Sequence, residues 1–145
     1  VFRRCDVLRG KEVPVSGRAV LTASISDRPN DAPVVSGREP VLIAFFGTEA
    51  GRRALSRSGR SDRVEVLQAT ARDSVVWIRL RDTSEAVALD QVSVRAIFDL
   101  GGRIVTVTAA SYAEAPLPMS RLSALAEEFV TRIRARNRGA TAPAL

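Results

Sequence analysis

The stretch "QVSVRAIFDLGGRIVTVTA" (residues 91–109) decides how this chain folds. Two runs of alternating apolar and polar residues flank Gly101-Gly102. Alternation with period two marks a half-buried strand. A Gly-Gly pair suits a two-residue type I′ turn, which needs positive φ at both positions. Such a turn sets the register, with Phe98 opposite Val105, Ala96 opposite Val107 and Val94 opposite Ala109. Every apolar partner then lands on one face, an arrangement that a slip of one residue would destroy. An anion-binding role for Gly-Gly-Arg is not needed to explain the glycines.

Working outward, two more strands precede this hairpin. In "SVVWIRLR" (74–81), Val76, Ile78 and Leu80 share one face, and Val75, Trp77, Arg79 and Arg81 share the other. Strand order puts Trp77 near Ile97. "RVEVLQA" (63–69) alternates through Val64 and Val66. After the hairpin, "SYAEAPLPM" (111–119) reads as a linker, and Ser120 is a suitable N-cap for a helix from 121 to about 137. Leu122, Leu125, Phe129 and Ile133 recur in it at helical spacing, with Ala126 and Val130 beside them, so they are expected against the sheet. Glu128 and Arg132 form an i,i+4 pair of the favourable orientation.

The first third of the chain holds a faint duplication: "VSGRAVLTASI" (15–25) and "VSGREPVLIAFF" (35–46) share Val-Ser-Gly-Arg and then Val-Leu-x-Ala. Each reads as a Ser-Gly turn feeding a strand. The first alternates; the second is apolar from Val41 to Phe46, as in a strand covered on both faces. Between them, "SDRPNDAP" (26–33) is turn chemistry, and Asp27, Asn30 and Asp31 do not have the spacing of a calcium loop. In "GTEAGRR" (47–53), Thr48 is an N-cap and Glu49 suits a first helical turn. The expected helix is short, 49 to 58, with Gly59 ending it. Gly47 and Gly51 match neither phosphate-loop nor dinucleotide spacing, and Glu49 would repel a phosphate.

These elements predict an α+β domain with the order β-β-α-β-β-β-β-α. Its mainly antiparallel sheet has about six strands, and the C-terminal amphipathic helix packs on one face. At 145 residues the chain fits one domain. That domain is expected over 1–138, with a frayed tail at 139–145 beyond the stop signal of Gly139. The chain begins with Val1, the mark of a processed, trimmed or partial product.

The chain has no histidine. That excludes Ser-His-Asp and Cys-His catalysis and histidine metal sites. The single cysteine, Cys5, forms no internal disulfide and reads as a free thiol in a terminal segment. No G-x-S-x-G elbow occurs, and Lys11 has no S-x-x-K partner. Glu127 and Glu128 are adjacent on a helix and point about 100° apart. No catalytic residue, metal ligand or cofactor is assigned. Enzymatic activity would require a carboxylate pair assembled by the fold, as in a hydrolase.

Charge is the strongest functional signal. Of 22 basic residues all but Lys11 are arginine. Arg52, Arg53, Arg57, Arg60 and Arg63 stand against Asp62, leaving +4, and Arg132, Arg134, Arg136 and Arg138 carry another +4 with no acid; the net charge is +6, so the remainder holds −2. Arginines at a helix C-terminus also complement its dipole. As a docking surface the two windows suit an acidic protein partner, with nucleic acid or an anionic membrane surface as alternatives. Neither window contains an aromatic residue, which argues against single-strand recognition. Trp77 is the other candidate: a tryptophan on this strand is normally covered, and an exposed one would mark a partner or ligand site.

The stretch "VRAIFDLGGRIVTVTAASY" followed by the helix "SRLSALAEEFVTRI", within this element order, resembles the PsbP-like fold. That fold includes exported bacterial lipoproteins and accessory proteins. The resemblance implies a non-catalytic accessory role and transfers no site residues. The expected function is a non-enzymatic interaction module docking an acidic partner, in a periplasmic or secreted setting or alternatively a cytoplasmic one. A basic nucleic-acid-associated or virion structural protein is the runner-up.

Overall fold

In a computed structural model, which describes residues 18–84 and 88–138, the glycine pair turns the chain as its chemistry requires, with φ of +57° at Gly101 and +78° at Gly102. It joins β4 (Leu89–Leu100) to β5 (Arg103–Tyr112). Phe98 pairs with Val105, Ala96 with Val107 and Val94 with Ala109, the register expected from the turn. With β1 (Ala19–Ile25), β2 (Val64–Arg72) and β3 (Val75–Asp82), these strands form one sheet of order β1-β5-β4-β3-β2. Every neighbouring pair is antiparallel.

The described sheet has five strands, not six, because Val41 to Phe46 is not a strand. It lies in the helix α1 (Glu39–Phe46), with Pro40 in the first turn. Proline is tolerated there because its missing N–H has no helical acceptor to bond. Helical spacing turns Leu42, Ile43 and Phe46 toward the core and leaves Val41 and Phe45 outside. An unbroken apolar run carries no period, so strand and buried helix look alike in it. The Val-Leu-x-Ala shared with β1 adopts a strand in one copy and a helix in the other.

A second helix, α2 (Glu49–Leu55), follows at once, capped by the Thr48 hydroxyl, which accepts from the Gly51 N–H at 3.1 Å. It ends at Leu55 rather than at 58, because Ser56 is extended. Gly51 meets α1 so closely that a Cβ there would lie 2.0 Å from the Phe45 carbonyl oxygen. A 3₁₀ turn (Ser61–Arg63) leads into β2.

The last helix, α3 (Met119–Arg136), begins after Pro118, whose extended backbone ends the linker. Ser120 therefore lies inside the first turn and is not the cap. Full burial on α3 falls on Leu122, Ala126 and Val130. Leu125, Phe129 and Ile133, expected to be buried, are half-buried flanks of that stripe. At the far end the Asn137 side-chain amide donates to the Ile133 carbonyl at 2.7 Å.

Helices cover both faces. α3 packs on Val75, Ala96, Phe98, Val105, Val107 and Ala109. On the opposite face, α1 and α2 close a second core around Val76, Ile78, Leu80 and Ile97. Asp99 holds the segment before α1, accepting from the N–H groups of Val34, Val35 and Ser36 at 3.0, 2.8 and 2.8 Å. Cys5, Lys11, Gly139 and the expected frayed tail lie outside the described residues.

Candidate functional site

The two arginine windows do not meet. Arg52 and Arg53 lie on α2, on the face opposite α3. Arg57 donates its backbone N–H to Asp82 Oδ2 at 2.7 Å and its guanidinium to the Asp90 carbonyl at 3.2 Å. The Arg63 carbonyl accepts from Thr83 N–H at 2.8 Å. This window, with Arg60, therefore sits beside the end of β3 and the start of β4. Arg132, Arg134 and Arg136 end α3 on the other face. The Arg134 guanidinium lies 5.3 Å from the Phe98 ring centroid, and Arg134 and Arg138 line a hollow with Leu100 and Gly101 at the hairpin.

From Asp90 to Leu100 the strand spans about 33 Å at its usual rise, several times the ~8 Å Debye length at physiological salt. The two charge windows do not act as one field. Several of their arginines also hold local partners: Arg53 with Glu49 at 3.0 Å, Arg60 with Asp62 at 2.8 Å and Arg132 with Glu128 at 2.7 Å.

Trp77 stands in a different setting. It pairs with Ala96, and Ile97 pairs instead with Val76. Trp77 thus faces α3, whereas Ile97 belongs to the core beneath α1 and α2. α3 lies chiefly over β1, β4 and β5, so beyond Val75 the same face of β3, and that of β2, is only partly covered. The result is a groove of about 420 Å³, lined by Gln68, Thr70, Arg72, Trp77 and Arg79, with Ser123 and Glu127 from α3. The β2–β3 register sets Thr70 opposite Trp77 and Gln68 opposite Arg79, so alternation turns all four onto the groove face.

The electrostatics are those of a basic groove with one bridge across it. Arg72 reaches from β2 to Glu127 on α3 at 2.5 Å, and its guanidinium also lies 5.4 Å from the Trp77 ring centroid. Arg81 pairs with Glu65 at 3.2 Å farther along. Arg79, half-buried between them, has no carboxylate partner within the described residues.

The other polar centre supports the fold. Asp82 is 1% exposed and accepts from the N–H groups of Arg57 and Ser84 at 2.7 and 2.8 Å. Burial pushes its carboxyl up, but the bonds from Arg57 and Ser84 outweigh burial and hold it below the ordinary aspartate value. The Ser58 and Ser84 hydroxyls meet at 2.7 Å beside it. Arg95 donates to the Leu55 carbonyl at 3.0 Å, at the C-terminus of α2, where a cation complements the helix dipole. Burial, and then the nearby Arg57, lower the Arg95 pKa, with Asp82 opposing. Among the described residues no group of three or more His, Cys, Asp and Glu side chains is placed to hold a metal ion.

No family model, no curated protein and no solved structure matches this chain. The site must therefore be read from its own residues. Arg79 on the Trp77 face is legible from alternation within one strand. Arg72, Ser123 and Glu127 are not, because they are brought there by the β2 register and by where α3 crosses the sheet.

Proposed function

We propose that this protein is a non-enzymatic interaction module that receives an acidic segment of a protein partner in the groove beside Trp77. The observation that carries this reading is a half-buried tryptophan flanked by a half-buried arginine that has no carboxylate partner among the described residues. A half-desolvated cation without a counter-ion favours a ligand that brings one. The tryptophan face supplies apolar area, while Gln68, Thr70 and Ser123 offer hydrogen bonds along the walls. The groove is open rather than enclosed, which suits a length of chain. The arginine windows at the two ends of the sheet are secondary contacts in this reading. Asp82, Asp99, Glu65 and Glu127 are each engaged by backbone N–H groups or by arginine, which favours binding over carboxylate-pair hydrolysis.

Trp77 is the one tryptophan in the chain, so its fluorescence reports on this groove directly. Titration with a glutamate-rich peptide is expected to shift or quench the emission, with affinity falling as salt rises. Arg79→Ser should weaken binding roughly tenfold, the factor corresponding to one charge-assisted hydrogen bond. A lysine-rich peptide of equal length should leave the emission unchanged. Equal binding of both peptides, or an unaltered affinity in Arg79→Ser, would overturn the proposal.

A further inference from the structure

The apolar helix α1 is only half used by the core. Its sequence, EPVLIAFF, carries one charged residue, a composition normally found buried on all sides. Leu42, Ile43 and Phe46 pack inward. Val41 and Phe45, one helical turn apart, remain 60% and 41% exposed. Phe45 is braced edge-on against Phe46, with ring centroids 5.3 Å apart. Together they form a small exposed apolar patch on one side of α1.

The charges around it indicate which kind. Arg38 stands exposed at the N-terminal end of α1. At the other end Arg52 donates to the Gly47 carbonyl at 2.7 Å, and Arg53 lies beside it on α2. Arg38, Arg52 and Arg53 stand there against Glu39 and Glu49. Arg53 pairs with Glu49, an exposed ion pair that exchanges readily for another anion. Two projecting apolar side chains with arginines at both ends complement a layer that is apolar below and anionic at its surface.

The size of the patch argues against a protein partner. α1 has eight residues and is about 12 Å long, with two large apolar side chains exposed on it. A stable protein interface needs about 800 Å² on each side with matched shapes, whereas a bilayer surface deforms to fit. Among the described residues no helix is long and apolar enough to cross a membrane.

We infer that α1, with Arg38, Arg52 and Arg53, is a contact surface for anionic membrane lipid, into which Val41 and Phe45 insert. It lies on the sheet face opposite the Trp77 groove, so a docked molecule keeps that groove open to a partner. The inference does not depend on what the groove binds.

The test is co-sedimentation with vesicles of phosphatidylcholine, with and without phosphatidylglycerol, at low and high salt. Binding is expected only with phosphatidylglycerol and should fall as salt rises. Arg38→Ser and Arg53→Ser should each weaken it about fivefold, the effect of one basic residue near an anionic surface. Val41→Ser with Phe45→Ser should weaken it further. All these side chains are exposed, so unfolding midpoints should stay near wild type, and Trp77→Ala should leave vesicle binding unchanged. No binding to phosphatidylglycerol vesicles would overturn the inference. So would full binding by the Val41/Phe45 variant, or displacement from vesicles by a glutamate-rich peptide in the Trp77→Ala background, which would mark α1 as a site for acidic protein.

Discussion

Replacing Gly51 by alanine tests the packing of the α1–α2 layer, and the structure sets the sign against ordinary helix rules. In an open helix the change should stabilise by about 0.8–1.0 kcal/mol, because alanine is the better helix former and restricts the unfolded chain. Here the new Cβ would lie 2.0 Å from the Phe45 carbonyl oxygen and 2.6 Å from the Phe46 Cα. Comfortable contact begins near 3.5 Å. Both neighbours are backbone, so no rotamer change relieves the overlap. α2 must retreat from α1 by more than about 1 Å, and Phe46 and Leu55, which close the core under these helices, lose contact in the process. Overpacking of this kind costs about 1–3 kcal/mol, and rigid backbone neighbours put it at the upper end. Set against the helix gain, the expected net loss is about 2 kcal/mol. That corresponds to a fall in melting temperature of roughly 8 °C for a domain of this size. Urea denaturation followed by circular dichroism measures it, with an unchanged m-value as the check on two-state unfolding. Gly47→Ala is the companion. Its Cβ would lie 3.3 Å from the Ala44 carbonyl oxygen, and its φ of −77° suits any residue, so the unfolding free energy should change by less than about 0.5 kcal/mol. If Gly51→Ala raises stability as it would in an open helix, α1 and α2 do not cross at this distance and the argument fails.

Two further outcomes follow from burial and charge. Leu122→Ala, at a fully buried position under α3, should cost about 2–5 kcal/mol, and Phe129→Ala should cost clearly less than its fully buried value because the ring is half-exposed; the reverse ranking in urea would place the inward stripe of α3 on the wrong residues. The Asp82 carboxyl is held below its ordinary value in the folded state, so its contribution is complete above the unfolded aspartate value of about 3.9 and is lost as pH falls through the lower folded value. Unfolding midpoints taken from pH 6 down to pH 2.5 should therefore fall less steeply in Asp82→Asn than in wild type, and parallel curves would refute the assignment.

Much of the fold is legible in the sequence alone. Gly101-Gly102 demands positive φ, a two-residue turn sets the register, and period-two alternation leaves no other face for Phe98, Ala96 and Val94. Thr48 announces its helix with equal economy, because a hydroxyl ahead of a helical turn satisfies an N–H that has no other acceptor. Val41–Phe46 was not legible as a helix, because an unbroken apolar run has no period and the residues that cover it come from β2 and β3. The inward stripe of α3 lies a fraction of a turn from the one that spacing alone picks out, because a wide apolar face leaves its rotation to be set by the sheet beneath. Gly51, a residue that ordinarily costs helix stability, is the close contact that lets two helices cross.

The candidate site divides along the same line. Trp77 and Arg79 share a strand face by local geometry, so the sequence alone placed them together. That the arginine windows lie on opposite faces and at opposite ends of the sheet is a property of the tertiary structure. So is the meeting of Arg72 from β2 with Glu127 from α3 beside that tryptophan. Spacing along a chain determines which side chains share an element's face; which faces then meet depends on how the elements bury their apolar surfaces against one another, and that is a property of the whole chain.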